Sequence, residues 1–269
     1  MARGKHVKSS LLWRVIFWIS LLVFIVAAGI LGVYGWSYLS QQWQYNSLAN
    51  DLSLNDVDED TWKETTINWD YLYATNSDTV GWVYVPGTII NYPVVQTDNN
   101  DTYLHESFYG GEGAARYGAI FMETRNSGDF KDDNTVLYGH NMGNGSMFHR
   151  IRQMIDKSVF DAYRTVYIFT PEANYRYRSY AFRRIEPTDV SVIRQNFSSD
   201  EAHTNYVNSM YSNSIYRASD APDASQVQRS LCLLTCVGPE EGEGRYILFC
   251  SLEETTEPGI TPEGITVVQ

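Results

Sequence analysis

The chain has 269 residues, a net charge of −12 and an aromatic content of 14% that includes 20 tyrosines and 7 tryptophans. This length suits one well-buried domain of about 200 residues plus an accessory segment. The acidic balance argues against a nucleic-acid partner, because phosphate binding requires clustered lysine and arginine side chains. Three cysteines do not make a disulfide framework, and no Cys-x-x-Cys or His-x₃-His spacing predicts a zinc site. We expect no metal and no cofactor.

The N-terminal region contains an apolar run that is long enough to cross a bilayer. Residues 15–34 are apolar apart from Ser20, and about 20 helical residues span roughly 30 Å. Residues 1–14 contain four basic residues and no acidic one. We therefore predict a cytoplasmic tail over 1–14, a transmembrane anchor over 15–36 and an extracellular location for the remainder. The alternative is a cleaved signal peptide, although the run exceeds the usual signal core of about 7–15 residues.

Between the anchor and the first strands the sequence is polar and then acidic. Residues 37–64 are predicted to continue the membrane helix and to end in a short solvated linker. Another helix is predicted over 62–74, before a turn at Asn76. The main domain is expected to span 65–252, followed by a loose acidic tail over 253–269.

From Thr79 onward, short apolar segments bounded by Gly, Pro and Asn predict β-strands. Amphipathic helices are predicted over 147–155 and 200–215, where apolar residues recur with helical spacing. The domain is therefore expected to be mainly β, with about eight strands and two or three helices. The strands predicted before residue 200 cover 80–85, 89–96, 117–122, 135–138, 165–170 and 175–183.

A hairpin near the C-terminus carries the most distinctive pattern. The strand 230–236 ends on Cys236, a loop rich in Gly, Pro and Glu follows, and the strand 245–252 begins with Arg245. Because antiparallel strands pair end to start across such a loop, Cys236 and Arg245 are predicted to meet at one rim of a sheet. Far upstream, another apolar strand ends on His140.

These three residue types suit acyl transfer. An imidazole can take the proton of a thiol and later protonate a leaving amine. A guanidinium remains charged and offers a planar set of donors to a developing oxyanion or to a substrate carbonyl. Cys236, His140 and Arg245 are therefore the candidate nucleophile, proton carrier and oxyanion partner.

Each candidate also has a purely structural interpretation. A strand cysteine is often a small buried hydrophobe, as we predict for Cys232 and Cys250. Arg245 could simply balance its acidic neighbours. Other histidines compete with His140 for the role of base: His105, His149 and His203.

Five segments carry a recognisable combination of motifs: Thr-Val-Gly-Trp-Val-Tyr-Val-Pro-Gly-Thr (79–88), Asn-Tyr-Pro-Val-Val-Gln (91–96), Tyr-Gly-His-Asn-Met (138–142), Gly-Ser-Met-Phe (145–148) and Leu-Thr-Cys (234–236) with Arg245. In their order and spacing over about residues 65–252, these segments resemble class B sortases. The resemblance implies an eight-stranded sortase-type β-barrel with added helices, which would follow the single N-terminal transmembrane helix predicted above.

The resemblance also implies a cysteine transpeptidase that cleaves a sorting motif near the C-terminus of surface proteins. Cys236 would form the acyl-enzyme, His140 would act as the acid and base, and Arg245 would hold the oxyanion or the motif backbone. No metal ligand is implied.

By the same resemblance, four further residues would contact the substrate, beneath an extended loop formed by the 184–228 connection. Class B sortases often have Ser where this chain has Leu234, and an acidic residue where it has Val237, so the preferred motif is left open. The implied substrate-binding residues are Asn100, Tyr138, Leu234 and Thr235.

The leading hypothesis is thus a membrane-anchored transpeptidase with its catalytic domain outside the cell. Its partners would be motif-bearing surface proteins and an amine of a cell-wall precursor or of a pilin. One alternative is a Cys-His peptidase in which water resolves the acyl-enzyme, although papain-like enzymes place Cys before His, the reverse of the order here. The other alternative is a non-catalytic anchored assembly protein whose cysteine belongs to the core.

Overall fold

The computed structural model describes residues 11–111, 118–238 and 241–256. Within these ranges the helices are α1 (Leu11–Asp51), α2 (Trp69–Thr75), α3 (Thr102–His105), α4 (His149–Gln153), α5 (Lys157–Ala162) and α6 (Asp200–Ser212). The strands are β1 (Thr79–Tyr84), β2 (Asn91–Val95), β3 (Ile120–Met122), β4 (Asn134–Tyr138), β5 (Thr165–Phe169), β6 (Asn174–Ile185), β7 (Tyr216–Arg217), β8 (Ser230–Cys236) and β9 (Arg245–Thr256).

Eight of these strands close into a barrel. Their order is β5-β1-β2-β3-β4-β8-β9-β6, and a further pairing between β5 and β6 closes the ring. The two-residue strand β7 is added to the outside of β6. The predicted eight-stranded barrel is confirmed. Closure leaves each of the eight strands with two partners and removes the unpaired edges that an open sheet would expose.

The strand β8 occupies a central place in this barrel. It pairs in parallel with β4 and antiparallel with β9, and α4 packs against both β8 and β9. Every residue of β8 except the last is buried. A strand that is covered on both faces needs a continuous apolar run, which explains the sequence Ser-Leu-Cys-Leu-Leu-Thr-Cys. Its exposed end is therefore the place where a side chain can reach solvent.

The helix continues beyond the apolar run, as predicted, but the stretch predicted to be a solvated linker is partly buried. The helix α1 continues to Asp51, and its residues Tyr45 and Leu48 are buried against the barrel. Leu54 and Trp62, farther along, are 0% exposed. The Tyr45 hydroxyl accepts a hydrogen bond from the Phe108 amide at 3.1 Å. Spaced apolar side chains within a polar stretch can be recruited to a core, and this makes the segment part of the domain.

The two helices predicted over 62–74 and 147–155 are shorter than expected. The first is α2 alone, because Asn68 caps it by accepting from the Tyr71 amide at 3.0 Å. The second is interrupted after α4, and Asp156 caps α5 by accepting from the Ser158 amide at 2.8 Å. Such capping side chains compete with helix continuation and fix the boundaries.

The start of the predicted C-terminal tail is also ordered. The strand β9 continues to Thr256, and Glu253 forms an ion pair with Arg176 at 3.2 Å. Residues 253–256 are therefore part of the barrel, because cross-strand pairing with β6 extends that far. The basic residues before Leu11, the predicted strand residue Tyr117, Glu240 and the tail beyond Thr256 lie outside the described residues.

Candidate active site

Parallel pairing between β4 and β8 brings two of the candidate residues to one rim of the barrel. Tyr138 lies opposite Leu234, and the Gly139 amide donates to the Leu234 carbonyl at 3.1 Å. Two residues beyond these positions along each strand direction are His140 and Cys236. The imidazole and the thiol therefore emerge from neighbouring strand ends.

Antiparallel pairing between β8 and β9 adds the third candidate. Cys236 lies directly opposite Arg245, as the sequence predicted. Directly opposite side chains on such strands share a face, with their Cβ atoms about 4.5–5.5 Å apart. Cys236 is exposed and its thiol is free, while Arg245 is half-buried. The thiol and the guanidinium can thus act on one ligand.

A backbone carbonyl orients the His140 ring. The His140 Nε2 lies 2.7 Å from the carbonyl oxygen of Leu104. The backbone carbonyl of His140 accepts a hydrogen bond from the Phe148 amide at 2.9 Å. A carbonyl oxygen only accepts, so Nε2 carries the hydrogen in this contact. In the neutral ring, Nδ1 then keeps its lone pair. We infer that Nδ1 is the nitrogen available to take a proton.

Two glycines allow the backbone to pass close to this histidine. At Gly139, an added Cβ would lie 2.7 Å from the Phe148 ring. Gly118 has a φ of 60°, and a Cβ there would lie 2.5 Å from the Tyr103 carbonyl oxygen and 3.0 Å from the His140 ring. Any side chain at either position would displace the groups around the imidazole.

Arg245 links the rim to the connection that follows β6. Its Nη1 donates to the carbonyl oxygen of Pro187 at 2.5 Å. A guanidinium has five N–H donors in a fixed plane, so this bond orients the group and still allows it to donate to a ligand. The connection that the resemblance assigned to a loop over the groove therefore contacts the candidate oxyanion partner.

A cavity of about 310 Å³ opens at this rim. All seven residues that the sequence analysis proposed line it, namely His140, Cys236, Arg245, Asn100, Tyr138, Leu234 and Thr235. Its apolar walls also include Leu104, Phe121, Ile185, Val190 and Ile193. Such a cavity suits an extended peptide, because apolar walls bind side chains while a few polar groups fix the backbone.

A buried carboxylate organises the polar end of the cavity. Glu123 accepts from the Tyr138 hydroxyl at 2.7 Å, from Asn100 Nδ2 at 3.0 Å and from Arg125 Nε at 2.8 Å. Burial alone would raise the pKa of Glu123, but the hydrogen bonds from Arg125, Tyr138 and Asn100 together lower that pKa below its ordinary value. Burial and the neighbouring carboxylate raise the pKa of Tyr138, so its hydroxyl remains protonated.

The competing histidines lie elsewhere. His105 Nε2 lies 3.6 Å from Asp101 Oδ1, and His149 Nδ1 lies 2.8 Å from Asn141 Oδ1. His203 is buried in α6 and stacks on Phe197. Burial lowers the pKa values of both His149 and His203. Among the histidines that the structure describes, His140 alone lines the cavity.

The other two cysteines are core residues, as predicted. Cys232 and Cys250 are 1% and 0% exposed. Burial raises the pKa of Cys232 to about 12, and it raises that of Cys250 well above its ordinary value. Both side chains therefore remain neutral thiols near neutral pH. Across residues 11–111, 118–238 and 241–256, no cluster of His, Cys, Asp and Glu is placed to hold a metal ion.

Sequence reasoning missed three contributors to the site: the Leu104 and Pro187 carbonyls and the Glu123 side chain. Backbone carbonyls carry no sequence signal, so the first two could not have been found. Glu123 directly follows the buried strand β3, and a charged residue at the end of such a strand was an available signal.

A closed eight-stranded barrel that presents a thiol, an imidazole and a guanidinium at one rim is the architecture of a sortase-type protein. The sortase domain family model matches residues 83–253. The chain therefore belongs to the sortase family. Its similarity to named sortase B proteins identifies it as a class B sortase, a cysteine transpeptidase.

The similar proteins come from several bacteria. Sortase B of Listeria monocytogenes is 33% identical over 178 residues, which cover 66% of this chain and 70% of the relative. The crystal structure of sortase B from B. anthracis matches with a TM-score of 0.68 and 27% identity, covering 81% of this chain and 98% of that chain. The Clostridium perfringens sortase B structure gives a TM-score of 0.63 and 28% identity over 70% of this chain and 100% of that chain.

Proposed function

We propose that this class B sortase cleaves a sorting motif near the C-terminus of surface proteins and transfers the acyl part to an amine of a cell-wall precursor or of a pilin. Cys236 is the nucleophile, His140 the acid and base, and Arg245 the oxyanion partner. The observation that carries this assignment is the strand register, which sets Cys236 opposite Arg245 and beside the strand end that bears His140.

In the first half-reaction, His140 Nδ1 takes the proton of the Cys236 thiol, and the sulfur attacks the carbonyl carbon of a Thr–X peptide bond. The oxyanion that forms accepts hydrogen bonds from Arg245. The C–N bond then breaks, and the leaving amine takes its proton from the His140 imidazolium. A thioester to Cys236 remains.

In the second half-reaction, the acceptor amine attacks the thioester carbonyl and gives up a proton to His140. The C–S bond breaks, the thiol is restored, and a new amide bond joins motif and acceptor. Asn100, Tyr138, Leu234 and Thr235 hold the motif in the cavity.

We further propose that residues 15–36 anchor the protein in the cell membrane, with residues 1–14 in the cytoplasm and the catalytic domain outside. Support comes from α1, which is long and apolar enough to cross a bilayer and whose most apolar stretch is not buried in the described structure. Extraction of membranes with alkaline carbonate should leave the protein in the pellet. Release into the supernatant would contradict the anchor.

The test of the reaction uses the full chain in detergent micelles. A library of Thr-containing fluorescence-quenched peptides is incubated with and without an amine nucleophile, and a methanethiosulfonate reagent is used to label thiols. We expect labelling of Cys236 and amine-dependent product. Hydrolysis that the amine does not alter would indicate a peptidase, and neither labelling nor turnover would indicate an assembly protein.

A further inference from the structure

We propose that Glu123 is a positioning residue for the peptide groove, which holds Asn100 and Tyr138 in their binding orientations without itself touching the substrate. This inference rests on the proposed function, because it assumes that the cavity beside Cys236 binds the peptide.

The geometry around Glu123 leaves its side chain little freedom. The side chain is 2% exposed, and it is buried beneath residues that line the cavity. Its Oε2 accepts from the Tyr138 hydroxyl at 2.7 Å and from Asn100 Nδ2 at 3.0 Å, while Oε1 accepts from Arg125 Nε at 2.8 Å. Charge-assisted hydrogen bonds of this kind are the stronger ones in proteins.

These bonds fix which atoms the groove presents to a ligand. A tyrosine hydroxyl has one proton, and Tyr138 gives it to Glu123, so towards the cavity this oxygen can only accept. Asn100 Oδ1 accepts from the Thr124 amide at 2.9 Å, which leaves the second hydrogen on Nδ2 for a ligand. The groove thus offers an acceptor at Tyr138 and a donor at Asn100, the pair that an extended peptide backbone requires.

Two further contacts extend the effect of Glu123 to the walls. The Tyr138 ring stacks on Phe121, which also lines the cavity, with centroids 5.0 Å apart. Arg125, held by Glu123, reaches the carbonyl oxygen of Ile193 at 3.4 Å. One buried carboxylate therefore couples the polar end of the groove to the connection that forms its opposite side.

The test compares Glu123→Gln with a matched control. In Glu123→Gln, the amide nitrogen must face either Arg125 or the pair Tyr138 and Asn100, and in both cases donors meet donors. The control is Asp132→Asn. Asp132 is also buried and accepts from three donors, namely Asn126 Nδ2 (2.6 Å), the Ser127 amide (2.7 Å) and Asn196 Nδ2 (2.7 Å), none of which lines the cavity.

Kinetics use the full chain in micelles and the Thr-containing library peptide that wild type cleaves fastest. We expect Glu123→Gln to raise KM about tenfold, a change of about 1.4 kcal/mol, with kcat and the rate of Cys236 alkylation altered less than about twofold. Asp132→Asn should leave KM unchanged while lowering the denaturation midpoint. A merely structural role for Glu123 would reduce the active fraction and thus lower kcat at constant KM.

Two more variants keep the inference testable if Glu123→Gln folds poorly. Arg125→Met removes the guanidinium of a side chain that is 57% exposed and should raise KM about threefold without loss of fold. Tyr138→Phe should raise KM, and Glu123→Gln should raise KM less in that variant than in wild type, because the Tyr138–Glu123 hydrogen bond is common to both changes.

The outcomes separate the two proposals. Turnover that survives Cys236→Ala overturns the proposed function and the role of Glu123 with it. Turnover that depends on Cys236, with KM unchanged in both Glu123→Gln and Arg125→Met, overturns the role of Glu123 alone. A KM increase confined to the groove variants, with Asp132→Asn unchanged, supports both proposals.

Discussion

Two positions in the strand β8 carry the same functional group in opposite environments. Cys232 is buried within the barrel, where its sulfur lies 3.5 Å from the Tyr206 hydroxyl and burial raises its pKa to about 12. Cys236 is exposed at the rim, opposite Arg245. An apolar environment disfavours a thiolate, and no substrate can reach the interior. Place along the strand, rather than residue type, decides which thiol can react.

The same contrast applies to charged pairs. At the rim, the loop between β8 and β9 is held by Arg152, whose Nε donates to Glu241 at 2.9 Å. On the next helix, α5, Lys157 and Asp161 form a pair in which both side chains are more than half exposed. The first pair ties Glu241, which lies between Cys236 and Arg245, to α4, whereas the second joins two exposed side chains of one helix.

Replacement of the two thiols should give the largest difference. Cys236→Ala should lower the rate of amine-dependent transfer by at least about three orders of magnitude, because the covalent step is lost. Cys232→Ala should keep most of the activity and reduce the free energy of unfolding by about 1 kcal/mol. Peptide kinetics and urea denaturation measure the two effects. Comparable losses of activity in both variants would contradict the assignment.

The second largest effect is expected at Arg245. Arg245→Ala should lower kcat about 10²–10³-fold, since one charged donor to the oxyanion is removed. Arg245→Lys should recover only part of this loss. An ammonium group lacks the planar set of N–H donors that lets the guanidinium donate to the Pro187 carbonyl and to a ligand at the same time. Arg229→Ala, distant from the rim, serves as the control. A full recovery by lysine would show that charge alone matters.

A smaller effect is expected at Glu241. Glu241→Gln weakens the contact with Arg152 and should lower kcat a few-fold by loosening the loop. Burial would raise the pKa of Glu241, but hydrogen bonds from Tyr246 and Arg152 lower it below its ordinary value of 4.5. The carboxylate therefore contributes stability above about pH 4.5, and this contribution is lost as the pH falls through the lowered pKa.

Denaturation of wild type and Glu241→Gln between pH 3 and 7 measures this contribution. The difference in the free energy of unfolding should be constant near neutral pH and should shrink in acid. A difference in the free energy of unfolding that grows as the pH falls would contradict the stabilising role of the Glu241 carboxylate.

The smallest effect is expected at the exposed helix pair. Lys157→Ala should change the free energy of unfolding by about 0.3–0.5 kcal/mol and leave the transfer rate unchanged, because exposed ion pairs one helical turn apart contribute little. Salt should reduce this difference further. A change in kcat would show that α5 communicates with the rim through α4.

Much of the site could be predicted because it depends on local pairing. The antiparallel hairpin sets Cys236 opposite Arg245 through a short loop, and the apolar strand before His140 is visible in the sequence. The subsite residues Asn100, Tyr138, Leu234 and Thr235 came from resemblance, and they line the same cavity. Glu123 was not found, since Tyr138 and Asn100 reach it only when β3, β4 and the segment at Asn100 meet.

The sequence by itself determined the strands, their alternation with turns and the register of the last hairpin, because these follow from periodic apolar residues and short loops. Only the tertiary structure decided that residues 45–62 pack on the barrel, that the Leu104 carbonyl orients His140 and that Pro187 holds Arg245. The last two contacts join residues far apart along the chain through backbone carbonyls that every residue shares. These contacts therefore form only in the closed barrel, and the amino-acid sequence carries no local signal for them.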